Sequence, residues 1–104
     1  PLYVIEIDPK NNEIIVGPKK YLAKRIINLD SLNILCENGE LNEKIYVKIR
    51  STGKLIPSKV ELSGSKAKVN LMEDEFGVSP GQACVFYQRN KDGYKVLGGG
   101  WIKN

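Results

Sequence analysis

The amino-acid sequence predicts an all-β fold, a single antiparallel β-barrel of about six to eight strands, and three observations carry that prediction. The β-branched residues Val, Ile and Thr number 20 among the 104, whereas alanine numbers three. Branched side chains pack well on a pleated surface, and alanine is the strongest helix former. Turn signals recur about every 10 to 15 residues, the rhythm of an all-β domain. They are Asp8-Pro9-Lys10-Asn11-Asn12, Glu37-Asn38-Gly39, Ser51-Thr52-Gly53, Ser63-Gly64-Ser65, Ser79-Pro80-Gly81 and Asn90-Lys91-Asp92-Gly93. Between these turns, apolar and polar residues alternate with the period of a half-buried strand. A closed barrel is favoured because it leaves no strand edge exposed.

The elements follow in order. Residues 2–7 and 13–17 read as a hairpin across the Asp8–Asn12 turn. Residues 26–35 read either as a strand with an irregularity at Asp30-Ser31 or as a strand including one short helical turn. In residues 44–50, Ile45, Val47 and Ile49 fall on one face, with Lys44, Tyr46, Lys48 and Arg50 on the other. Val60 and Leu62, then Ala67, Val69 and Leu71, repeat the pattern across Ser63-Gly64-Ser65. Residues 84–89 and 94–97 pair across Asp92-Gly93, a strong hairpin signal.

Length and composition describe one soluble globular domain, residues 1–104, with 41% apolar and 27% charged residues. No apolar run approaches the roughly 20 residues of a membrane helix, so no membrane partner is expected. No signal peptide is visible, and a reducing, cytoplasmic setting is expected. The sole methionine is Met72, so the chain reads as a piece of something longer. The sequence has no histidine, which removes Ser-His-Asp and Cys-His catalysis and His-ligated zinc. Cys36 and Cys84 form no CxxC pair; a disulfide is allowed by count, but Cys84, within Ala83-Cys84-Val85-Phe86, reads better as a buried free thiol. Cys36 is expected near a turn.

Charge is uneven. The net formal charge is +4, yet Lys44 to Lys68 holds seven basic residues against Glu61, while Glu73, Asp74 and Glu75 cluster further on. A Lys/Arg face with an interleaved Tyr46 suits nucleic acid, because cations neutralise phosphates and a ring stacks on a base. The alternative is an ordinary solvated strand face. Gly98-Gly99-Gly100 lacks the residues of a phosphate-binding loop and reads as structural, suiting a bulge beside Trp101. Ser79-Pro80-Gly81-Gln82 is a turn first, with the Gln82 amide free in principle to reach a base or sugar.

Two of these segments carry a resemblance. Residues 79–87, Ser-Pro-Gly-Gln-Ala-Cys-Val-Phe-Tyr, followed by Val96-Leu97-Gly98-Gly99-Gly100-Trp101-Ile102, closely resemble the C-terminal end of tRNA-specific 2-thiouridylases. Pro1-Leu2-Tyr3-Val4, the Asp-Pro-x-x-Asn turn and a strand ending in Val16-Gly17 agree, as do Lys48-Ile49-Arg50 and Ile56-Pro57.

The resemblance implies the C-terminal β-barrel domain of a longer enzyme that transfers sulfur to C2 of the wobble uridine. Such enzymes use ATP through an SGGVDS-type loop in an N-terminal domain, and two cysteines outside this domain handle the persulfide. Neither the loop nor those cysteines occur in this chain, so no catalytic residue, cofactor site or metal site is expected in it. The implied partners are tRNA, the N-terminal and central domains of the same enzyme, and a sulfur-donor protein. Carried over by position, the RNA contacts fall at Arg50, Ser51 and Gln82, with Lys48, Thr52 and Lys54 as further candidates. The loop Ser51-Thr52-Gly53-Lys54 departs from the family where a second aromatic or arginine is often found, and Lys54 stands as a replacement cation. The competing reading is a structural module that packs against the other domains with little RNA contact of its own.

Overall fold

The structure, a computed structural model, describes residues 1–18, 20, 23–37, 39–49 and 53–103. Eight strands follow one another: β1 (Tyr3–Asp8), β2 (Glu13–Gly17), β3 (Lys24–Ile34), β4 (Ile45–Lys48), β5 (Ile56–Ser63), β6 (Lys66–Glu75), β7 (Ala83–Asn90) and β8 (Gly93–Ile102). Six of them close into an antiparallel barrel in the order β3-β6-β5-β4-β7-β8, and β3 pairs with β8 to complete the ring. The expected antiparallel barrel of about six to eight strands is thus found with six. β1 and β2 make a separate two-stranded sheet and contribute nothing to the ring.

Turn chemistry sets both sequence-evident hairpins. At the first, the Asp8 carboxylate accepts hydrogen bonds from the Lys10 and Asn11 amides and from Asn11 Nδ2, at 3.1, 3.3 and 2.8 Å. Those bonds, the Asn11 side chain's foremost, hold the Asp8 carboxyl below its usual pKa. Asn12 takes a left-handed φ of 56°, which asparagine tolerates. At the β7–β8 turn, Asn90 Oδ1 accepts from the Asp92 amide at 3.1 Å, and Gly93 takes φ 143°.

β3 resolves the two readings of its sequence. It is a strand with a bulge: Asp30 pairs with Trp101 and Asn33 with Gly99, so β3 carries one residue more than β8 across this stretch. Ser31, inside the bulge, has φ 51°. The displaced Leu32 amide is still satisfied, donating to Ser65 O at 3.2 Å.

Inward alternation builds the core. Ile45, Val47 and Ile49 are buried as their spacing required, and so are Ala67, Val69 and Leu71. Ile27, Leu29, Ile56, Phe86, Leu97 and Ile102 fill the remaining interior. Leu62 departs from expectation and is exposed, because β5 buries Ile56 and Ser58 at its other end and its last turnward residues are solvated. The fully buried Ser58 hydroxyl donates to Ile56 O at 3.0 Å, so it is not left unpaired.

β8 is longer than residues 94–97 and runs through the glycine triplet to Ile102. Gly98 pairs with Ile34 on one side and Phe86 on the other; Gly99 pairs with Asn33 and Val85. A Cβ at Gly98 would strike Asn33 O, and one at Gly99 would strike Cys84 O. The triplet is therefore the strip where the two neighbouring strands come too close for side chains.

Both cysteines are free thiols: Cys84 is buried in the core and Cys36 is half-buried against it. Burial pushes the Cys84 thiol up to about 12, and burial together with Glu40 raises that of Cys36. Because burial raises this thiol from its ordinary 9.0 to about 12, the stability tied to the neutral thiol is fully present below the lower value and is lost as pH rises between the two. Cys84→Ser is expected to cost about 1–3 kcal/mol, because a hydroxyl is harder to leave unpaired than a thiol. Urea titration measures the cost.

Candidate nucleic-acid interface

β4 is short, and its alternation turns Ile45 and Val47 inward and Tyr46 and Lys48 outward. Its register against β7 places Tyr46 opposite Tyr87 and Lys48 opposite Val85. The β7–β8 hairpin then folds Tyr94 back onto the same face. Tyr46 and Tyr94 meet edge to face with ring centroids 5.9 Å apart at 80°, and Tyr87 and Tyr94 do so at 6.4 Å and 85°. Such pairs contribute about 0.5–1.5 kcal/mol each beyond area burial.

Two lysines lean on these rings. Lys44 Nζ lies 5.7 Å from the Tyr46 centroid and Lys48 Nζ 5.9 Å from that of Tyr87. A flexible lysine stem normally samples many rotamers, and a ring beneath the ammonium narrows that sampling. The result is a pair of held cations on an aromatic bed, suited to the spaced negative charges of a phosphate backbone. Nearby, Lys95 Nζ is engaged by Glu40 at 3.2 Å, so its charge is already compensated.

The turn at Gln82 has a different character. Gln82 Oε1 accepts from the Ser79 amide at 3.0 Å, closing the Ser79-Pro80-Gly81-Gln82 loop upon itself. The Gly81 amide donates to Ile102 O at 2.9 Å, and the Ile102 amide donates to Gln82 O at 2.8 Å. With its carbonyl oxygen committed, the Gln82 side chain offers its NH2 group as a donor at a fixed place. β4 and β7 are antiparallel, so the end of β4 and the start of β7 share one rim of the barrel. Gln82 and Lys48 thus belong to the same end of the molecule.

Three expected contacts, Arg50, Ser51 and Thr52, lie outside the described residues. Lys54 is described, and its ammonium is bound by Glu73 Oε1 at 2.6 Å. That hydrogen bond, followed by the Glu73 charge, raises the Lys54 pKa. The acidic cluster has a second cation, Arg25, whose Nε meets Asp74 Oδ1 at 2.8 Å. Both pairs are solvent-exposed and contribute little to stability. Their consequence is to spend the Lys54 charge within the protein.

Tyr94 and Tyr87 entered the sequence reading only as strand residues, Tyr87 also within a motif, and neither as a candidate for the site. The signal was present as two tyrosines flanking a hairpin turn. Only strand register brings them to Tyr46.

Similarity to known proteins extends over nearly the whole chain. A family model described as the aminomethyltransferase beta-barrel domain matches residues 24–102. A protein named tRNA-specific 2-thiouridylase MnmA from Nitratiruptor sp. is 46% identical over 102 residues, covering 98% of this chain and 28% of its own. Its namesake from Sulfurimonas denitrificans is 44% identical over 104 residues, covering 100% of this chain and 29% of its own. That from Parvibaculum lavamentivorans is 43% identical over 108 residues, covering 98% and 27%. The chain therefore spans little more than a quarter of the length of these relatives.

Proposed function

Because the chain belongs to the tRNA-specific 2-thiouridylase family, through a β-barrel of the aminomethyltransferase type, we propose that it is the C-terminal, tRNA-holding domain of such an enzyme. In this reading the whole enzyme makes 2-thiouridine at the tRNA wobble position, using ATP and a sulfur-donor protein in the cytoplasm. Adenylation and sulfur transfer reside in the domains outside residues 1–104, and this domain contributes grip. Among the described residues, no helix is long and apolar enough to cross a membrane.

The observation that carries the proposal is the tyrosine–lysine face of β4, β7 and β8, where Lys44 and Lys48 stand over Tyr46 and Tyr87. Phosphate contacts set affinity and its salt dependence, whereas a hydrogen bond to a base or ribose sets position. Arg50, which follows the basic strand, is assigned to phosphate; Gln82, held by its turn, is assigned to a positional hydrogen bond.

Filter-binding titrations of the full-length enzyme with tRNA at several salt concentrations test this division. Arg50→Ala is expected to weaken binding and reduce the magnitude of the log K against log salt slope by roughly one unit. Gln82→Ala is expected to weaken binding with little change in slope. Wild-type affinity and slope in both variants would favour the second reading, a structural module packed against the rest of its enzyme. One feature of the fold supports such packing at a different place, and the two roles are compatible.

A further inference from the structure

The β1–β2 ribbon is apolar on one face for a reason visible in its register. Val4 pairs with Val16, but Glu6 pairs with Ile15 and Ile7 with Ile14, so Ile5 is an extra residue. Strand alternation would send Val4 and Ile7 to opposite faces; the bulge returns them to the same one. Val4, Ile7, Ile14 and Val16 consequently form one continuous apolar face. The other face carries Glu6 and Glu13 alongside Ile15.

Among the described residues, nothing covers that apolar face. Val4, Ile7, Ile14 and Val16 are 53%, 66%, 65% and 48% exposed. A two-stranded ribbon is marginal in water without a third strand or a packed face, and contiguous exposed apolar surface marks an interaction site. Along β1 runs a groove of about 880 Å³, walled on the barrel side by Lys24, Phe76, Val78 and Pro80.

Similarity to longer proteins points to the cover. The barrel family model begins at residue 24, so the ribbon lies outside it. The 2-thiouridylase relatives nevertheless match 98–100% of the chain, ribbon included, and extend it more than threefold in length. A segment held in common with the long relatives, foreign to the barrel unit and uncovered in isolation fits a neighbouring unit of the same polypeptide.

We infer that the Val4–Ile7–Ile14–Val16 face is an interdomain docking surface, covered by an apolar face of the part of the 2-thiouridylase polypeptide outside residues 1–104. The inference rests on the reading of this chain as one domain of such an enzyme, but not on its binding RNA. The ribbon is then structurally the neighbouring unit's sheet, tied by the chain to the barrel.

Hydrogen exchange read by mass spectrometry, on the 104-residue chain and on the full-length enzyme, tests it. Amides of residues 3–17 are expected to exchange at least tenfold more slowly in the full-length enzyme, with barrel strands unchanged. Ile14→Lys is expected to abolish that protection in the full-length enzyme while leaving barrel exchange in the 104-residue chain as it was. Equal ribbon exchange in the two proteins would overturn the inference. So would ribbon protection that rises with concentration of the 104-residue chain and is lost in Ile14→Lys, since a second copy would then be the cover. Neither overturning result touches the tRNA titrations of Arg50 and Gln82, so the two readings fail separately.

Discussion

Gly99→Ala is expected to destabilise the barrel by roughly 3 kcal/mol, at the upper end of overpacking costs. With a urea m-value of about 1–3 kcal/mol/M, the unfolding midpoint falls by 1 M or more. The cost arises because the added methyl would meet backbone: Cys84 O, then Val85 Cα at 3.2 Å. A side chain can rotate away, but Cys84 and Val85 are held in the β7–β8 ladder and cannot yield without breaking it. Gly64→Ala supplies the contrast. Nothing lies within 4 Å of its Cβ position, and its only penalty is φ +61°, about 1–2 kcal/mol for a left-handed residue. Equal midpoints for the two variants would show that β7 and β8 can separate to admit a side chain.

The double variant Lys44→Ala, Lys48→Ala is expected to show the largest loss of tRNA affinity among surface changes on this domain. If each ammonium neutralises one phosphate, the slope of log K against log salt shrinks by roughly 1.4–1.8 units, depending on whether the RNA is single- or double-stranded there. The aromatic bed makes a finer test. Tyr87→Leu keeps an apolar side chain but removes the ring under Lys48, so it should weaken binding without changing the slope. A double variant with the slope of the wild type would remove this face from the RNA surface.

Much of the barrel was legible because strand alternation is a local property. Ile45, Val47 and Ile49 declare their face within five residues, and Asp30-Ser31 announced the irregularity that became the β3 bulge. The Gly98-Gly99-Gly100 run was correctly read as structural, although its reason, the approach of Asn33 from one side and Cys84 from the other, is tertiary. What stayed hidden was non-local. Lys54 looked like a spare cation because Glu73 lies far along the chain. The tyrosine cluster needed the register of β4 on β7. The ribbon's separation from the barrel was hidden for a further reason: alternation shows that a face is apolar but not which surface it meets.

The pairing of β3 with β8 has a consequence for how the molecule is made. Of the barrel strands, β3, β4, β5 and β6 emerge first during synthesis, and β5 and β6 can pair at once across their tight turn. The ring cannot close until Ile102 has left the ribosome, because β8 alone bridges β3 and β7. Until then two long edges stand open, and such edges are templates for pairing with other chains. At about 5–20 residues per second, the interval between completion of β6 and release of β8 is a few seconds. Closure then depends on partners far apart in sequence, which makes it slow on the scale of small domains. A nascent chain stalled before Val96 presents the most aggregation-prone form this sequence can take, with every strand made except the keystone.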